Sequence, residues 1–200
     1  MKGSLIIVGF FVLGTICGVC HLLPFDIAET NISYYALCAL MFSVGLSVGN
    51  DPQTLKNFRS LNPRLVFLPI MTILGTLAGS AAVSLILTHR SITDCLAVGS
   101  GFGYYSLSSI FITEYKGAEL GTIALLANIS REILTLLAAP LLVRWFGNLA
   151  PISAGGATTM DTTLPIITRT AGQQFVGVSI FHGFVVDFSV PFLVTLFCSI

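Results

Sequence analysis

Residues 123–143 read IALLANISREILTLLAAPLLV, a run long enough to cross a bilayer as a helix. Arg131 and Glu132 lie near its middle, where each charge costs roughly 2.5–3.5 kcal/mol. Asn128, Glu132 and Thr135 are spaced at i, i+4 and i+7, so a helix places them on one face, and Arg131 at i+3 joins them. We therefore predict that these polar side chains face a protein interior or a watery cavity rather than lipid.

A structural ion pair that locks two helices together is the alternative to a functional site. Arg131 and Glu132 are sequence neighbours and cannot face each other well, so each needs a partner elsewhere. Ionisable groups inside membranes are costly and mark functional sites by default. We favour the functional interpretation.

The composition excludes most other classes of protein. Hydrophobic residues make up 54% of the 200 residues and charged residues 9%, against about a quarter in soluble domains. Nine basic and nine acidic residues form no charge run, which argues against a nucleic-acid partner. All five cysteines lie in or beside apolar runs, and Cys17-x-x-Cys20-His21 has no second ligand pair, so we expect no disulfide framework, metal or cofactor. The prediction is an all-α, polytopic membrane bundle with residues 1–200 as a single membrane domain.

About five full spans are expected. Besides the central helix they are residues 4–23, 32–49, 65–87 and 174–200. We interpret the first as a retained helix rather than a signal peptide. The basic loop at 50–64 is predicted to lie in the cytoplasm, and the GxxxG pair Gly75 and Gly79 is expected to admit another helix at close range.

Two further segments are too polar or too rich in glycine for plain spans, and we predict two discontinuous or re-entrant elements. The first is residues 95–113, which contain GSGFGYYSLSS at 99–109, and the second is residues 155–172, with four threonines, Asp161 and Pro165 at 156–165. Irregular backbone at membrane depth is tolerated where it lines a cavity, a device of transporter substrate sites. A flexible, closely packed helix is the alternative for the first.

A loop is expected at 147–154. The candidate substrate-binding residues are Gly101, Gly103, Tyr105, Ser106, Ser108, Thr158 and Thr163.

Three more polar residues are candidates for the site. Asp161 is either a helix cap beside threonines or a site residue, and its apolar flanks favour the site. His182 and Asp187 are a possible relay, although a histidine in a bundle is more often simply hydrogen-bonded in place. Asp187 lies in a deeply apolar run and must face inward or a cavity.

Two topologies fit the charges. If both irregular elements cross the membrane, Lys116 is inside and Arg144 outside, and if both are re-entrant the two positions swap. Each topology leaves six basic residues inside and two outside, so charge counting cannot choose. In both, the C-terminus is outside.

A set of motifs in fixed order resembles the bacterial lysine exporter family over most of residues 32–200. The motifs are SGFGYYSLS at 100–108, Thr113-Glu114, Asn128 with Arg131-Glu132-Ile133, Gly156-Ala157-Thr158 with Met160-Asp161, Thr163-Leu164-Pro165, Arg169-Thr170 with Gly172, and His182-Gly183-Phe184 with Pro191. The resemblance implies an exporter of L-lysine and toxic lysine analogues in the cell inner membrane, driven by proton exchange. It also implies that the intramembrane acids of the family fall on Glu132 and Asp161, whereas Asp187 matches no acid in the pattern.

Typical members of that family are longer, and this chain is similar to their C-terminal two-thirds. We therefore expect it to be the larger part of a split transporter, with a separate small membrane subunit supplying N-terminal helices. The partners implied are L-lysine, protons and membrane lipid.

A transport mechanism follows from the residue types. Glu132 and Asp161 would hold either a proton or the lysine ammonium, and N-termini of broken helices would hold the substrate carboxylate, with Ser106, Ser108 or Arg131 assisting. A proton- or sodium-coupled cation antiporter is one alternative. An intramembrane serine hydrolase, with a serine of 99–101 or 105–106 and His182 as base, is a weaker one, so the chain is not expected to be an enzyme.

Overall fold

The structure is a computed structural model that describes residues 63–87 and 89–200. It also describes six isolated helical positions, which are Leu13, Ile16, Cys17, Tyr35, Ala39 and Phe42. Backbone contacts group the chain into two compact units, Met1–Pro52 and Gln53–Ile200. The predicted spans at 4–23 and 32–49, the loop at 50–64 and the Cys-x-x-Cys-His motif lie, apart from single positions, outside the described residues.

The described residues of the second unit form helices joined by short turns and no strand, which confirms the predicted all-α fold class. Its α-helices are α1 (Phe67–Ser84), α2 (Ile92–Gly99), α3 (Tyr105–Lys116), α4 (Ala118–Phe146), α5 (Ala150–Gly155), α6 (Leu164–Ala171) and α7 (Val176–Ser199). Short 3-10 helices cover Pro63–Val66, Gly156–Met160 and Gln173–Phe175. Within the described ranges, three segments are long and apolar enough to cross a membrane, namely α1, α4 and Gln173–Ser199.

The predicted boundaries hold for the long helices and fail at one loop. The central run at 123–143 lies inside α4, which is longer by several residues at its N-terminal end. The loop expected at 147–154 is wrong, because α5 begins at Ala150. Pro151 stands in its first turn, where the missing N–H of proline has no helical partner to lose.

The first discontinuous element, residues 92–116, turns back on itself. Its first half, α2, runs parallel to α4, because Arg90 pairs with Glu119 at their starts while Asn128 Nδ2 donates to the Val98 carbonyl (3.2 Å) further on. Its second half, α3, runs antiparallel to α4, since Thr113 near its end packs against Gly121 near the start of α4. We call residues 92–116 hairpin 1.

Both ends of hairpin 1 lie at the same end of the bundle. Lys116 Nζ at its finish is 4.0 Å from Asp94 Oδ1 at its start. Cys198, close to the end of α7, is within electrostatic reach of the same two groups. We call this the Lys116 end.

The second discontinuous element, residues 150–171, also turns back, from the opposite end. Ile152 of α5 forms one buried apolar cluster with Ile167 and Ala171 of α6 and with Val178 of α7. Leu65, Leu68, Val143 and Leu149 pack against this cluster, so it lies where α1 begins and α4 finishes. We call this the Arg144 end, and residues 150–171 hairpin 2.

The described unit therefore consists of three spans and two re-entrant hairpins that enter from opposite ends. Charge counting left two topologies open, in which both irregular elements either cross the membrane or turn back within it. These contacts favour the second, because both ends of each hairpin lie at the same end of the bundle. The prediction that the basic loop at 50–64 is cytoplasmic would then place the Lys116 end outside and the Arg144 end inside, and this orientation stays a prediction.

The expected close approach at the GxxxG pair is not made by the described residues. No described atom comes within 4 Å of a Cβ built on Gly75 or Gly79. The close contact on α1 is at the next residue, Ser80, where Gly99 of α2 packs and where a Cβ on Gly99 would strike the Ser80 Oγ. Gly99 lets α1 and α2 touch because it has no side chain to displace.

Candidate functional site

The tips of the two hairpins touch each other near the middle of the bundle, about halfway between the Lys116 end and the Arg144 end. Hairpin 1 breaks at residues 100–104 and hairpin 2 at residues 156–163. The Ala157 N–H donates a hydrogen bond of 2.9 Å to the Phe102 carbonyl. Phe102 is fully buried and has a φ of 46°, a left-handed conformation that is strained for a bulky residue. The two irregular segments predicted from the sequence are therefore in direct contact with each other.

Glycines make this contact possible. Gly103 has a φ of 95°, and a Cβ on it would lie 3.2 Å from the Gly155 carbonyl oxygen. Gly156 has a φ of 64°, and a Cβ on it would strike the Phe102 carbonyl oxygen. Both positions need glycine for the backbone conformation and for the space.

Asn128 of α4 joins the two halves of hairpin 1. Its Oδ1 accepts a 2.7 Å hydrogen bond from the Gly103 N–H, after the break. Its Nδ2 donates to the carbonyl of Val98, before the break, and to that of Ala124 on its own helix (2.9 Å). The buried amide thus satisfies backbone groups that the broken helix leaves without partners.

Arg131 does the same for hairpin 2. Its Nε donates to the Ala154 carbonyl (2.8 Å) and its Nη2 to the Ser153 carbonyl (3.0 Å), the last turn of α5. Its Nη1 reaches Thr76 Oγ1 of α1 (3.3 Å), and its Cζ lies 5.8 Å from the centroid of the Phe102 ring. A cation is favourable at a helix C-terminus and over an aromatic face. The partner of Arg131 is a helix end rather than a carboxylate.

The structural ion pair considered from the sequence does not occur in the described part of the chain. The two ion pairs found there, Arg90 with Glu119 and Lys116 with Asp94, both lie at the Lys116 end. Glu132 is half-buried and makes no hydrogen bond or ion pair with a described residue.

Several predicted substrate-binding hydroxyls hold the tips in shape. Thr158 Oγ1 donates to the Gly155 carbonyl (2.9 Å), and Thr163 Oγ1 donates to the Thr158 carbonyl (3.0 Å). Ser108 Oγ donates to the Tyr104 carbonyl (2.8 Å) across the first turn of α3. All three residues are buried, and a substrate role for them stays a prediction.

The N-termini of α3 and α6 begin at the two tips, and neither has a side-chain cap. At the start of α3, Tyr105 is half-buried and Ser106 exposed, and Gly101 is buried against Asn128. The Tyr105 and Leu164 N–H groups at these starts already donate to the Gly103 and Asp161 carbonyls (3.0 and 3.3 Å), so the positive end of each helix dipole is what suits an anionic group. A substrate carboxylate at these two N-termini stays a prediction.

Asp161 and Asp187 both lie next to the contact between hairpin 2 and α7, since Asp161 follows Met160, which packs against Gly183, and Asp187 is one turn beyond Gly183. Asp161 is exposed, and its carboxylate accepts from the Thr162 N–H rather than capping α6. Asp187 is buried, and its charge and that of Asp161 interact. Tyr104, at the tip of hairpin 1, is within electrostatic reach of both carboxylates.

Tyr104 is a candidate site residue that the sequence analysis did not name. Tyr105 was named and Tyr104 was not, because two adjacent tyrosines in a broken segment cannot be told apart without the start of the helix, and a role for Tyr105 stays a prediction. In the described residues, no three His, Cys, Asp or Glu side chains group as a metal site requires.

His182 is fully buried and braces three elements. Its Nε2 is 2.9 Å from Thr72 Oγ1 of α1, and its Nδ1 is 3.2 Å from Thr159 Oγ1 of hairpin 2. Thr159 Oγ1 in turn lies 2.8 Å from the Gly156 carbonyl and 3.0 Å from the Ser179 carbonyl. These contacts favour a histidine hydrogen-bonded in place over a relay.

A His182→Leu variant is expected to be less stable by about 1–3 kcal/mol, because buried hydroxyls lose a partner. The pH dependence of transport should stay as in the wild type, since a brace carries no proton through the cycle. Thermal unfolding in detergent and transport at several pH values measure both. His89→Leu, at an exposed position, is the control, and a shifted pH profile in His182→Leu alone would restore the relay.

A cavity of about 440 Å³ lies between α1, α2 and α4. Thr76, Asn128 and Arg131 line it at mid-depth, and Arg90 and Asp94 line it at the Lys116 end. The residues between them are mainly apolar. The cavity therefore runs from that end of the bundle to the side chains that hold the hairpin tips.

This architecture defines a class: a helical membrane protein in which two broken helices meet near the middle of the bundle, an arrangement that is typical of secondary transporters. The model of the lysine exporter LysO family matches residues 8–198, and the chain belongs to this family. The resemblance found in the sequence motifs is confirmed.

Two relatives show how far the likeness extends. The chain is 36% identical over 196 residues to the lysine exporter LysO of Escherichia coli, which covers 98% of this chain and 64% of that protein. It is 34% identical over 196 residues to a putative lysine exporter of Haemophilus influenzae, covering 98% and 96%. No solved structure matches the chain.

Proposed function

We propose that this protein exports L-lysine and toxic lysine analogues across the cell inner membrane in exchange for protons. The observation that carries the proposal is the meeting of two opposed hairpin tips at mid-depth, beside carboxylates and uncapped helix N-termini. Membership of the lysine exporter family and the names of both relatives support lysine as the substrate.

The two ends of a lysine zwitterion fit different parts of this site. Its carboxylate suits the uncapped N-termini of α3 and α6, where N–H groups and helix dipoles favour an anion. Its ammonium groups suit Glu132 and Asp161, which have no cationic partner among the described residues. Arg131 supports the site by holding α5, since three of its N–H groups are already used.

Coupling follows if the acids hold either a proton or an ammonium group. Entry of protons from outside would release lysine, and their departure inside would let lysine bind again. The hairpins open towards opposite ends of the bundle, so small movements of the tips would expose the site to one side at a time. One backbone hydrogen bond, from Ala157 to Phe102, joins the tips directly among the described residues.

Glu132→Gln and Asp161→Asn are each expected to abolish efflux of labelled lysine from cells at matched expression, because an amide cannot exchange a proton for an ammonium group. Glu119→Gln is the control, since Glu119 pairs with Arg90 at the Lys116 end. The assay is run with and without the expected small membrane subunit. Both variants should still be found folded in the membrane.

Wild-type efflux in both variants would contradict the role of these acids. Efflux that is lost equally in Glu119→Gln would point to a general structural effect. Dependence of efflux on sodium rather than on a proton gradient would favour the alternative, a sodium-coupled cation antiporter, because the unpaired carboxylates suit any small cation.

The hydrolase alternative gains no support from the site. His182 contacts threonine hydroxyls, and Ser100 Oγ donates to the Leu96 carbonyl (2.7 Å). The split transporter remains part of the proposal. The exposed Gly75 and Gly79 face of α1 and the adjoining cavity offer a surface on which a further helix would pack.

A further inference from the structure

Asp187 is a buried acid that the proposed export site does not use. Only 7% of its surface is exposed, and its carboxylate makes no hydrogen bond or ion pair with a described residue. An unpaired charge in such a place costs several kcal/mol, so acids there are usually paired or hold an exchangeable cation.

The packing of α7 places Asp187 beside the tip of hairpin 2. Thr159 Oγ1 lies 3.0 Å from the Ser179 carbonyl, and a Cβ on Gly183 would lie 2.7 Å from the Met160 N. Asp187 is one turn beyond Gly183, on the same face of α7. Asp161 directly follows Met160, and its charge acts on Asp187.

The remaining neighbours that the structure describes supply no positive charge. Hairpin 1 contributes the phenol of Tyr104, which interacts with both carboxylates. On α7 itself, His182 is bonded to Thr72 and Thr159, and α1 carries no charged residue between 67 and 84. Arg131 acts on His182, and its donors hold α5 and Thr76.

We propose that Asp187 is the second carboxylate of a cation site, in which Asp161, Asp187 and the phenol of Tyr104 bind one proton or one ammonium group between the two tips and α7. The pair carries one net negative charge with a proton bound and the same charge with an ammonium bound. A proton that leaves to water is replaced by one ammonium, so the exchange is one for one. This deepens the proposed function and rests on it for the identity of the cargo.

Proton binding is measured first, without any substrate. The full chain in lipid is compared at acid and alkaline pH by infrared difference spectroscopy, which detects the carbonyl band of a protonated carboxylic acid. Asp187→Asn should lose this band or move the midpoint of its titration, and Asp187→Glu and the control Asp94→Asn should keep it. An unchanged band and midpoint in a folded Asp187→Asn protein would overturn the proposal.

The same spectra distinguish the two cations. Lysine added at fixed pH should displace the proton band, whereas norleucine, which lacks the side-chain ammonium, should not. Displacement by lysine alone assigns the ammonium to this site, and no displacement assigns it the proton only. Equal displacement by both would contradict a cation site.

Transport is the second readout. In proteoliposomes, a one-for-one exchanger under a gradient of about one pH unit accumulates lysine about tenfold. Asp187→Asn should lose this accumulation and keep lysine counterflow, which needs no net proton movement. Wild-type accumulation in the variant would overturn the inference, whereas a wild type that moves no lysine would defeat the proposed function and leave the infrared result standing.

Discussion

An Arg131→Met variant is expected to lose lysine efflux and to unfold at a markedly lower temperature. Methionine fills a similar space but leaves the Ser153 and Ala154 carbonyls without donors. Each buried group without a partner costs about 1–3 kcal/mol, so the loss should be about 2–6 kcal/mol in total. The contacts with Thr76 and the Phe102 ring are lost as well. Thermal unfolding in detergent and efflux at matched expression measure the two effects.

Two further variants distinguish the hydrogen bonds from Arg131 to α5 from a general requirement for a positive charge on α4. Arg144→Met removes an exposed arginine in the last turn of the same helix and should leave both measurements near the wild type. Arg131→Lys should recover stability only in part, because one ammonium cannot match the fork that reaches three acceptors. An Arg131→Met protein as stable as the wild type would show that α5 does not depend on the guanidinium.

The elements that could be predicted from the sequence are the long helices, because each is marked by an apolar run of sufficient length or by polar residues at helical spacing. The run at 123–143 is apolar except on one side, and α4 does bury Asn128 and Thr135 and turn Arg131 to the hairpins. The glycine-rich and threonine-rich segments did mark breaks, because neither composition sustains a helix at membrane depth.

The direction of the broken elements could not be predicted, because both topologies give the same charge count. Contacts between distant residues decide it, such as Lys116 with Asp94 at one end and Ile152 with Ile167 at the other. The helix at α5 was missed for a local reason. Six residues containing a proline and a glycine give no periodic signal, and packing against α4 stabilises them instead.

The partners of the intramembrane polar groups were also beyond the sequence. Arg131 and Asn128 bond to backbone carbonyls and N–H groups, which every residue carries and no motif marks. The glycine that lets α1 and α2 pack closely is Gly99 of α2, and not Gly75 or Gly79 of the GxxxG pair on α1. The roles of Glu132, Asp161 and the other predicted site residues stay predictions.

One helix holds both hairpins, and this suggests how they move. Asn128 ties hairpin 1 to α4, and Arg131, one turn on, ties hairpin 2 to it. Each tip therefore has an anchor of its own, while the direct link between tips is slight. Under the export mechanism proposed above, alternating access would break the link between Ala157 and Phe102 and keep both anchors, since the anchors satisfy buried groups in either state.

A Gly156→Ala variant tests the contact between the tips most directly. Alanine at a φ of 64° costs about 1–3 kcal/mol, and its Cβ would also strike the backbone oxygen of Phe102, which cannot rotate away. We expect the tips to separate, with the hydrogen bond from Ala157 lost and efflux abolished. Exchange of the Ala157 amide hydrogen, followed by mass spectrometry, should become much faster.

Gly147→Ala is the matched control for backbone strain. Gly147 has a φ of 86°, in the same range, but no described atom lies within 4 Å of the position of its Cβ. It should lose stability through strain alone and keep efflux. If both variants lose stability equally and both export lysine, the close approach of the tips is dispensable. If only Gly156→Ala loses efflux, the contact at Phe102 is needed for transport. Backbone strain cannot explain the difference, because Gly147→Ala introduces similar strain without that contact.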